Sequence, residues 1–237
     1  MRKLLVLLLT ITAILLAPVV LATSSKPKEP LEREIFIHYK DGTIKGVGGA
    51  ATTPTCYKLL GPKWKSLPVS YVVNPNGYGR TFVTDAISAS ATEWDSHTSA
   101  TVFDGYTVDN SATWDDTVDE VDYKNEYVFG PYPDTNVIAV TVVWYTLYGR
   151  QIVDYDVLFN TYYTWTDCTT TTCDATNKGM DLQNIATHET GHGIGLADIY
   201  SSSCSEVTMY GYSKYGETKK RTLETPDITG LQKLYRS

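Results

Sequence analysis

The segment Asp181–Asp198, with the sequence DLQNIATHETGHGIGLAD, restricts the possible folds of this chain more than any other part. Asp181 can begin a helix, because its side chain can accept hydrogen bonds from the free backbone N–H groups of the first turn. Residues four apart on a helix differ by roughly 40° around its axis, so His188 and His192 would project from the same face. Two imidazole nitrogens could therefore reach one metal ion.

The residues around the two histidines make this segment typical of a hydrolytic metal site. Glu189 would project beside the imidazoles, where it could hold a metal-bound water without binding the metal itself. Gly193 and Gly195 are expected to end the helix, since Gly195 can adopt the positive φ of a sharp turn. Asp198 follows His192 closely and could return as a third ligand. The pattern H-E-x-x-H-x-x-G-x-x-D therefore favours a zinc site over a helix that carries two surface histidines.

Composition and charge narrow the classes of function. The 237 residues are 42% apolar, which is enough to fill a hydrophobic core. Lys and Arg total 20 against 27 Asp and Glu, and the formal net charge is -7. A nucleic-acid-binding protein needs a basic face to neutralise phosphates, so the acidic balance argues against nucleic acid as a partner.

The start of the chain differs in composition from the remainder. A basic beginning precedes an apolar run from Leu4 to Leu21, and Ala22 ends the run before a polar stretch. This order is typical of a secretory signal peptide over residues 1–22, and an uncleaved membrane anchor is the alternative. We expect the protein to be secreted, with membrane attachment only if this segment is retained.

Residues 23–55 are polar and form either a pro-segment or an N-terminal arm, two alternatives that the composition leaves open. Within them, Glu34–Lys45 alternates around an Asp-Gly pair and predicts a hairpin. His38 lies in this segment and is interpreted as a strand residue, not as a metal ligand. The compact domain is expected to span residues 56–237.

Within the predicted domain, the pattern of apolar residues is typical of a strand in some segments and of a helix in another. Leu67–Val73 is rich in β-branched residues and ends at a turn, which predicts a first strand. Apolar residues in Val83–Trp94 recur at steps of three and four, as in an amphipathic helix. Two further β-branched runs, Asn136–Trp144 and Gln151–Asn160, predict strands.

The four cysteines fit an exported protein, in which an even number suggests disulfide bonds. Four cysteines allow three pairings. Cys168 and Cys173 flank a run of threonines and could close a short loop, which would leave Cys56 to reach Cys204. In the alternative, Cys56 is free and binds zinc in a latent form of the protein.

An acidic stretch from Asp115 to Asp122 offers oxygen ligands of the kind that Ca²⁺ binds. The spacing does not match an EF-hand loop, and such a stretch is also typical of a solvent-exposed loop. Calcium is therefore a candidate second metal, with zinc as the expected catalytic one.

Several short segments over roughly residues 56–235 resemble the metzincin metalloproteases, and among them the matrixins. They include Thr208-Met209-Tyr210 after the zinc motif and the closing segment Leu223–Tyr235, which would form the last helix of that family. The residues agree with a helix there, since Thr225 can cap it and Pro226 suits its first position. The other matching segments are Lys63-Trp64, Pro68-Val69, Trp94-Asp95 and Asp156–Asn160.

The resemblance implies an α/β (α+β) fold with a zincin-like catalytic domain. This domain would have a twisted mixed sheet packed on an N-terminal helix, an active-site helix and a Met-turn. Met209 would be the residue of the Met-turn, an apolar floor under the metal ligands. By the same resemblance, Tyr210, Gly211 and Tyr212 would line the substrate pocket beside the zinc.

The function implied by the resemblance is zinc-dependent hydrolysis of peptide bonds in proteins or peptides, by a protein expected to be a monomer. Zinc held by His188, His192 and Asp198 would polarise the scissile carbonyl and activate a water, with Glu189 as general base. Two features depart from the matrixin pattern: Asp198 replaces the usual third histidine, and the Pro-Arg-Cys-Gly switch is missing. The alternative is a catalytically silent metzincin-fold protein with a surface-binding or structural role.

Overall fold

The computed structural model describes residues 29–41, 55–117 and 119–236. The predicted signal peptide lies outside these ranges, as do residues 42–45, the second arm of the predicted hairpin. Within the described ranges, every helix is too short or too polar to span a lipid bilayer.

The centre of the molecule is a β-sheet that mixes parallel and antiparallel strands. In chain order the described strands are β1 (Leu31–Lys40), β2 (Val69–Val73), β3 (Phe103–Val108), β4 (Asn125–Gly130), β5 (Val137–Thr146), β6 (Ile152–Asn160), β7 (Thr164–Thr166), β8 (Gly179–Asp181) and β9 (Tyr212–Ser213). The main sheet has the order β3-β2-β4-β6-β5-β1-β9, and β7 pairs separately with β8. β2, β3, β4 and β6 run parallel, whereas β5 is antiparallel to β6. The predicted α/β (α+β) fold class is confirmed.

The central strands coincide with the predicted apolar runs. Asn136–Trp144 and Gln151–Asn160 correspond to β5 and β6, and the predicted first strand corresponds to β2. β5 is buried along its whole length. A strand that is enclosed on both faces has a continuous apolar sequence instead of an alternating one, which explains why these runs were recognisable.

Three α-helices complete the described fold: α1 (Arg80–Asp95), α2 (Leu182–Gly193) and α3 (Thr225–Tyr235). α1 buries Val83, Ile87 and Trp94 on one face, as the predicted periodicity requires. It packs on α2, and α2 in turn packs on β5 and β6. α1 also contacts β2 and β3, so the two helices pack on each other and both contact the sheet.

The start of α3 corrects one prediction. Thr225 is predicted as the cap, but it is already the first helical residue, and Glu224 is the cap. The physical reason is a reciprocal pair, in which Glu224 accepts from the backbone of Asp227 and Asp227 accepts from Glu224 N. The Asp227 carboxylate also accepts from Thr208 N and Met209 N at 2.9 and 3.1 Å, so it ties α3 to that segment.

Both predicted disulfide bonds are present. Cys56 is bonded to Cys204 and Cys168 to Cys173, with Cα–Cα distances of 5.4 and 5.6 Å. The alternative of a free, zinc-binding Cys56 is therefore wrong, because its sulfur is already bonded. Disulfide bonds of this kind are typical of proteins that fold outside the reducing cytosol.

β1 joins the sheet from the polar segment that precedes the predicted domain. It pairs antiparallel with β5 from Leu31 opposite Thr146 to Tyr39 opposite Val137. Its other edge pairs parallel with β9 through Tyr39 and Lys40. The first arm of the predicted hairpin is thus a strand, and its described partners are β5 and β9.

Removal of the two disulfide bonds should cost different amounts of stability, because a cross-link restricts the unfolded chain more when it closes a longer loop. For separations of 148 and 5 residues, we expect losses of about 5 kcal/mol for Cys56→Ser with Cys204→Ser and about 2 kcal/mol for Cys168→Ser with Cys173→Ser. Denaturant unfolding of the two double variants measures both values. Equal losses would contradict the loop-length argument.

Candidate metal centre and active site

α2 positions the two histidines of the predicted metal site. Asp181 caps the helix, as predicted, and its side chain accepts a hydrogen bond from Asn184 N at 2.8 Å. The helix is buried from Asn184 to Gly193, so His188 and His192 lie in the interior of the protein. Their Nε2 atoms are 3.1 Å apart. The helical spacing thus brings two nitrogen atoms to one point.

A sharp turn after α2 returns Asp198 to the histidines. Gly195 in this turn has a φ of +102°, and a Cβ there would lie 2.8 Å from Pro62 O. Both the positive φ and the close backbone atom therefore require glycine. As a result, Asp198 Oδ1 lies 3.2 Å from His188 Nε2 and 3.5 Å from His192 Nε2.

The three donor atoms fit a tetrahedral zinc site. Bonds of about 2.0 to 2.1 Å to zinc place neighbouring ligand atoms of a tetrahedron about 3.3 Å apart, close to the 3.1, 3.2 and 3.5 Å found here. His188 Nδ1 donates to Thr208 O at 2.7 Å, and His192 Nδ1 donates to Leu196 O at 2.9 Å. Each Nε2 therefore keeps its lone pair for a metal. Asp198 Oδ1 is buried and accepts no well-aligned hydrogen bond from the described residues.

Burial and mutual charge set the protonation of this cluster. Burial, together with the charge of Lys220, lowers the pKa of His188 to about 4, so this imidazole is neutral at physiological pH. Burial alone would raise the pKa of Asp198, but His192 and His188 hold it well below its ordinary value. For His192, burial lowers the pKa, and the Asp198 carboxylate more than reverses this effect. The Asp198 carboxylate thus stabilises a proton on His192, and a bound metal cation would take the place of that proton.

Glu189 lies beside these donors without belonging to the group that they form. Its Oε2 accepts a hydrogen bond from Thr141 Oγ1 on β5 at 2.5 Å, and its Oε1 accepts one from His38 Nδ1 on β1 at 2.9 Å. Burial raises the pKa of Glu189 to about 7, although His192 and Thr141 act in the opposite direction. A carboxylate with this pKa can take up and release a proton near neutral pH.

Met209 lies against the α2 turn that carries the histidines. Its side chain is buried, and a Cβ on Gly191 would overlap Met209 Sδ. The close approach explains why the helix has glycine between its two histidines. This position is the one expected of the Met-turn residue, and the functional assignment stays a prediction.

Tyr210, Gly211 and Tyr212 follow directly, and the last two of them contact β1. Gly211 O accepts a hydrogen bond from Tyr39 N at 3.4 Å, and Tyr212 pairs with Tyr39 in the sheet. Lys220 Nζ donates to the carbonyl oxygens of Tyr210 and Tyr212. The structure places Gly211 beside the predicted metal ligands, because a Cβ on it would lie 3.0 Å from Asp198 Oδ1. The contact of all three residues with substrate stays a prediction.

Three residues of the site were missed by the sequence analysis. His38, interpreted as a strand residue, does lie in a strand. It also contacts Glu189, and its ring packs on that of His188 with 3.9 Å between the ring centroids. Thr141 is the polar residue within the apolar run VIAVTVVW of β5, a signal that could have identified it. Lys220 belongs to a Lys-Lys-Arg run, and no feature of the sequence marks it as the fully buried member.

The described residues contain two groups of three side chains that could share one metal ion, namely His188, His192 and Asp198, and His38, His188 and Glu189. Neither group includes a member of the acidic stretch predicted to bind calcium. Within the described part of that stretch, the Asp122 side chain pairs with Lys124 at 2.5 Å. The geometry gives no support to the calcium site, which stays a prediction.

Comparison with known proteins relates this geometry to one family. Residues 64–236 match the sequence profile described as matrixin, which covers most of the chain. The hatching enzyme of Paracentrotus lividus is 34% identical over 82 residues. That alignment covers 35% of this chain and 12% of the relative, so the matched region is a small part of the relative's length.

We predict one bound zinc ion per chain, held by His188, His192 and Asp198. His192→Ala and Asp198→Ala should each lose it, because two remaining donors leave the site incomplete. Asp198→His should keep it, since imidazole again supplies a third donor. Metal analysis after dialysis measures the content, with His97→Ala, outside the cluster, as the control. Unchanged zinc in both alanine variants would exclude this set of ligands.

Proposed function

The chain belongs to the matrixin family, and we propose that it is a secreted zinc-dependent endopeptidase that cleaves proteins or peptides. One observation carries the proposal: the donors of His188, His192 and Asp198 lie beside the Glu189 carboxylate, in a groove that already holds a peptide strand. The two disulfide bonds agree with an extracellular location.

His188, His192 and Asp198 would hold the zinc ion on which this family depends. When bound, Zn²⁺ would supply a Lewis acid for the scissile carbonyl and would lower the pKa of a water molecule. The backbone oxygens of Thr208 and Leu196 support this role, because they accept from the Nδ1 atoms and fix both imidazole rings.

Glu189 would be the general base. Thr141 holds one of its carboxylate oxygens, and the other is directed at the groove, where it contacts His38. From this position Glu189 could take a proton from the attacking water and then donate it to the leaving amine. A pKa of about 7, raised by burial, suits both steps because the carboxylate can accept and return a proton near neutral pH.

The groove suits an extended peptide. β5 forms one wall and β9 the other, and β1 lies between them as a strand paired on both edges. Backbone contacts continue past the strand, since Asp41 N donates to Ser213 O at 2.7 Å. Strand addition of this kind binds a peptide through its main chain. A substrate would occupy the same place, with β1 as its stand-in.

The same contacts favour a pro-segment over a simple arm for residues 23–55. The Phe36 ring stacks on His192, with 3.9 Å between centroids and 3° between planes. His38 contacts the proposed general base. β1 therefore covers the reactive groups, and a substrate cannot enter while β1 is seated. The Cys56–Cys204 bond would keep the new N-terminus attached after the pro-segment is removed.

The full chain should cleave casein slowly, and removal of the residues before Cys56 should increase the rate. A synthetic peptide of residues 29–41 should inhibit the activated form, because it can refill the groove. The same peptide with Phe36→Ala and His38→Ala should inhibit less, since it loses the contacts with His192 and Glu189. Equal rates for the full chain and the shortened chain would argue against a pro-segment.

Glu189→Ala should separate metal binding from turnover. The variant should keep zinc and fold, because Glu189 is not a proposed ligand, and it should lose proteolysis by on the order of 10² to 10⁴ fold. Casein cleavage by the activated protein measures the loss, with the exposed Glu206→Ala as the matched control. If the zinc-loaded wild type cleaves neither casein nor a mixed peptide library, the binding or structural alternative is favoured.

A further inference from the structure

The side chains of β1 indicate what the groove accepts, on the premise of the proposed function that substrate takes the place of β1. Side chains alternate along a strand. Phe36 and His38 accordingly point into the protein, whereas Ile35 points away and is 41% exposed. His38 is the more deeply buried of the two inward residues, with an exposed fraction of 1%.

His38 fills a pocket next to the proposed metal ligands. We call it the His38 pocket. Glu189 and the ring of His188 form its near side, with His38 Nδ1 at 2.9 Å from Glu189 Oε1. Lys220 forms its far end, with Nζ at 3.1 Å from His38 Nε2. The pocket therefore presents a hydrogen-bond acceptor at its mouth and a cationic donor at its end.

Lys220 has one donor directed at this pocket. Its side chain is fully buried, and its Nζ donates to Tyr210 O at 2.5 Å and to Tyr212 O at 2.8 Å. An ammonium group has three protons, so one remains for the occupant of the pocket. Among the described residues, the nearest carboxylate oxygen is on Glu217, at 3.9 Å, which is beyond hydrogen-bond distance.

The protonation of His38 agrees with this arrangement. Because Nδ1 faces the Glu189 carboxylate, Nδ1 carries the proton and donates, and Nε2 is left to accept from Lys220. His38 acts toward Lys220 as a hydrogen-bond acceptor.

We propose that Lys220 makes this enzyme select substrates whose side chain in the His38 pocket ends in a hydrogen-bond acceptor, as Gln, Glu and His do. An apolar side chain of the same length would leave a proton of the buried ammonium without an acceptor, which is costly inside a protein. Lys220 is a specificity-determining residue, separate from the metal ligands and from Glu189.

The test uses the full chain, folded, loaded with zinc and then activated by limited proteolysis. The probes are peptides of residues 29–41 that carry His, Gln, Glu, Leu or Met at the position of His38. Calorimetry measures their binding, and a mixed peptide library measures cleavage preference. We expect the Gln, Glu and His peptides to bind about tenfold to hundredfold more tightly than the Leu and Met peptides.

Lys220→Met should reverse this order, because an apolar end of the pocket no longer needs an acceptor. Lys219→Met is the matched control, since Lys219 pairs with Glu206 outside the pocket, and it should leave the order unchanged. If the Leu peptide binds wild type as tightly as the Gln peptide, or if Lys220→Met keeps the wild-type order, the proposal is overturned. If Lys220→Met fails to fold, the binding of the five peptides to the wild-type protein alone decides whether the proposal holds.

The full chain gives a second measurement that does not depend on activity. Hydrogen exchange of the β1 amides should be slow in wild type and in His38→Gln, and faster in His38→Leu. In a Lys220→Met background, His38→Leu should no longer accelerate exchange. If casein is not cleaved but the coupling between His38 and Lys220 is observed, the proposed protease function is refuted and the pocket is retained. If casein is cleaved but this coupling is absent, the role of Lys220 is refuted.

Discussion

Three donor atoms, the Nε2 atoms of His188 and His192 and Oδ1 of Asp198, lie 3.1 to 3.5 Å apart with almost no access to solvent. A buried carboxylate is tolerated only when a cation or proton balances it and when the remaining polar atoms of the cluster have partners. The partners are present: backbone oxygens accept from both Nδ1 atoms, and the Tyr200 hydroxyl donates to Asp198 Oδ2. The packing of α2 against α1 and against β5 and β6 provides the required burial.

The end of α2 depends on distant parts of the chain. The last carbonyl groups of a helix have no partner within it. Here Trp64 Nε1 donates to Gly193 O at 2.9 Å, and the Tyr235 hydroxyl donates to Ile194 O at 2.8 Å. The first of these donors precedes β2, and the second ends α3. Asp227 of α3 also holds the segment that carries Met209. The turn that returns Asp198 to the histidines is thus supported from both ends of the domain.

The edge of β5 that pairs with β1 explains both the proposed recognition of substrate and the proposed latency. The edge of β5 presents backbone donors and acceptors that another strand can pair with. β1 uses this edge, and β9 closes its other side. The main chain of a peptide satisfies these groups whatever its sequence, so selectivity must come from side chains such as His38, whose pocket ends at Lys220. The same surface can therefore bind a substrate or be covered by the chain's own segment.

The sequence by itself determined the local features. The spacing of His188 and His192, the turn at Gly195 and the periodicity of α1 depend on residues close in the chain, and helical geometry or steric limits on φ are enough to predict them. The buried strands were recognisable because enclosure on both faces leaves an apolar sequence. Only the tertiary structure decided that His38, 151 residues from Glu189, contacts it, and that Lys220, 182 residues from His38, ends the pocket. Such contacts depend on which sheet edge a strand joins and on which lysine of a basic run is buried, and neither is encoded in local periodicity.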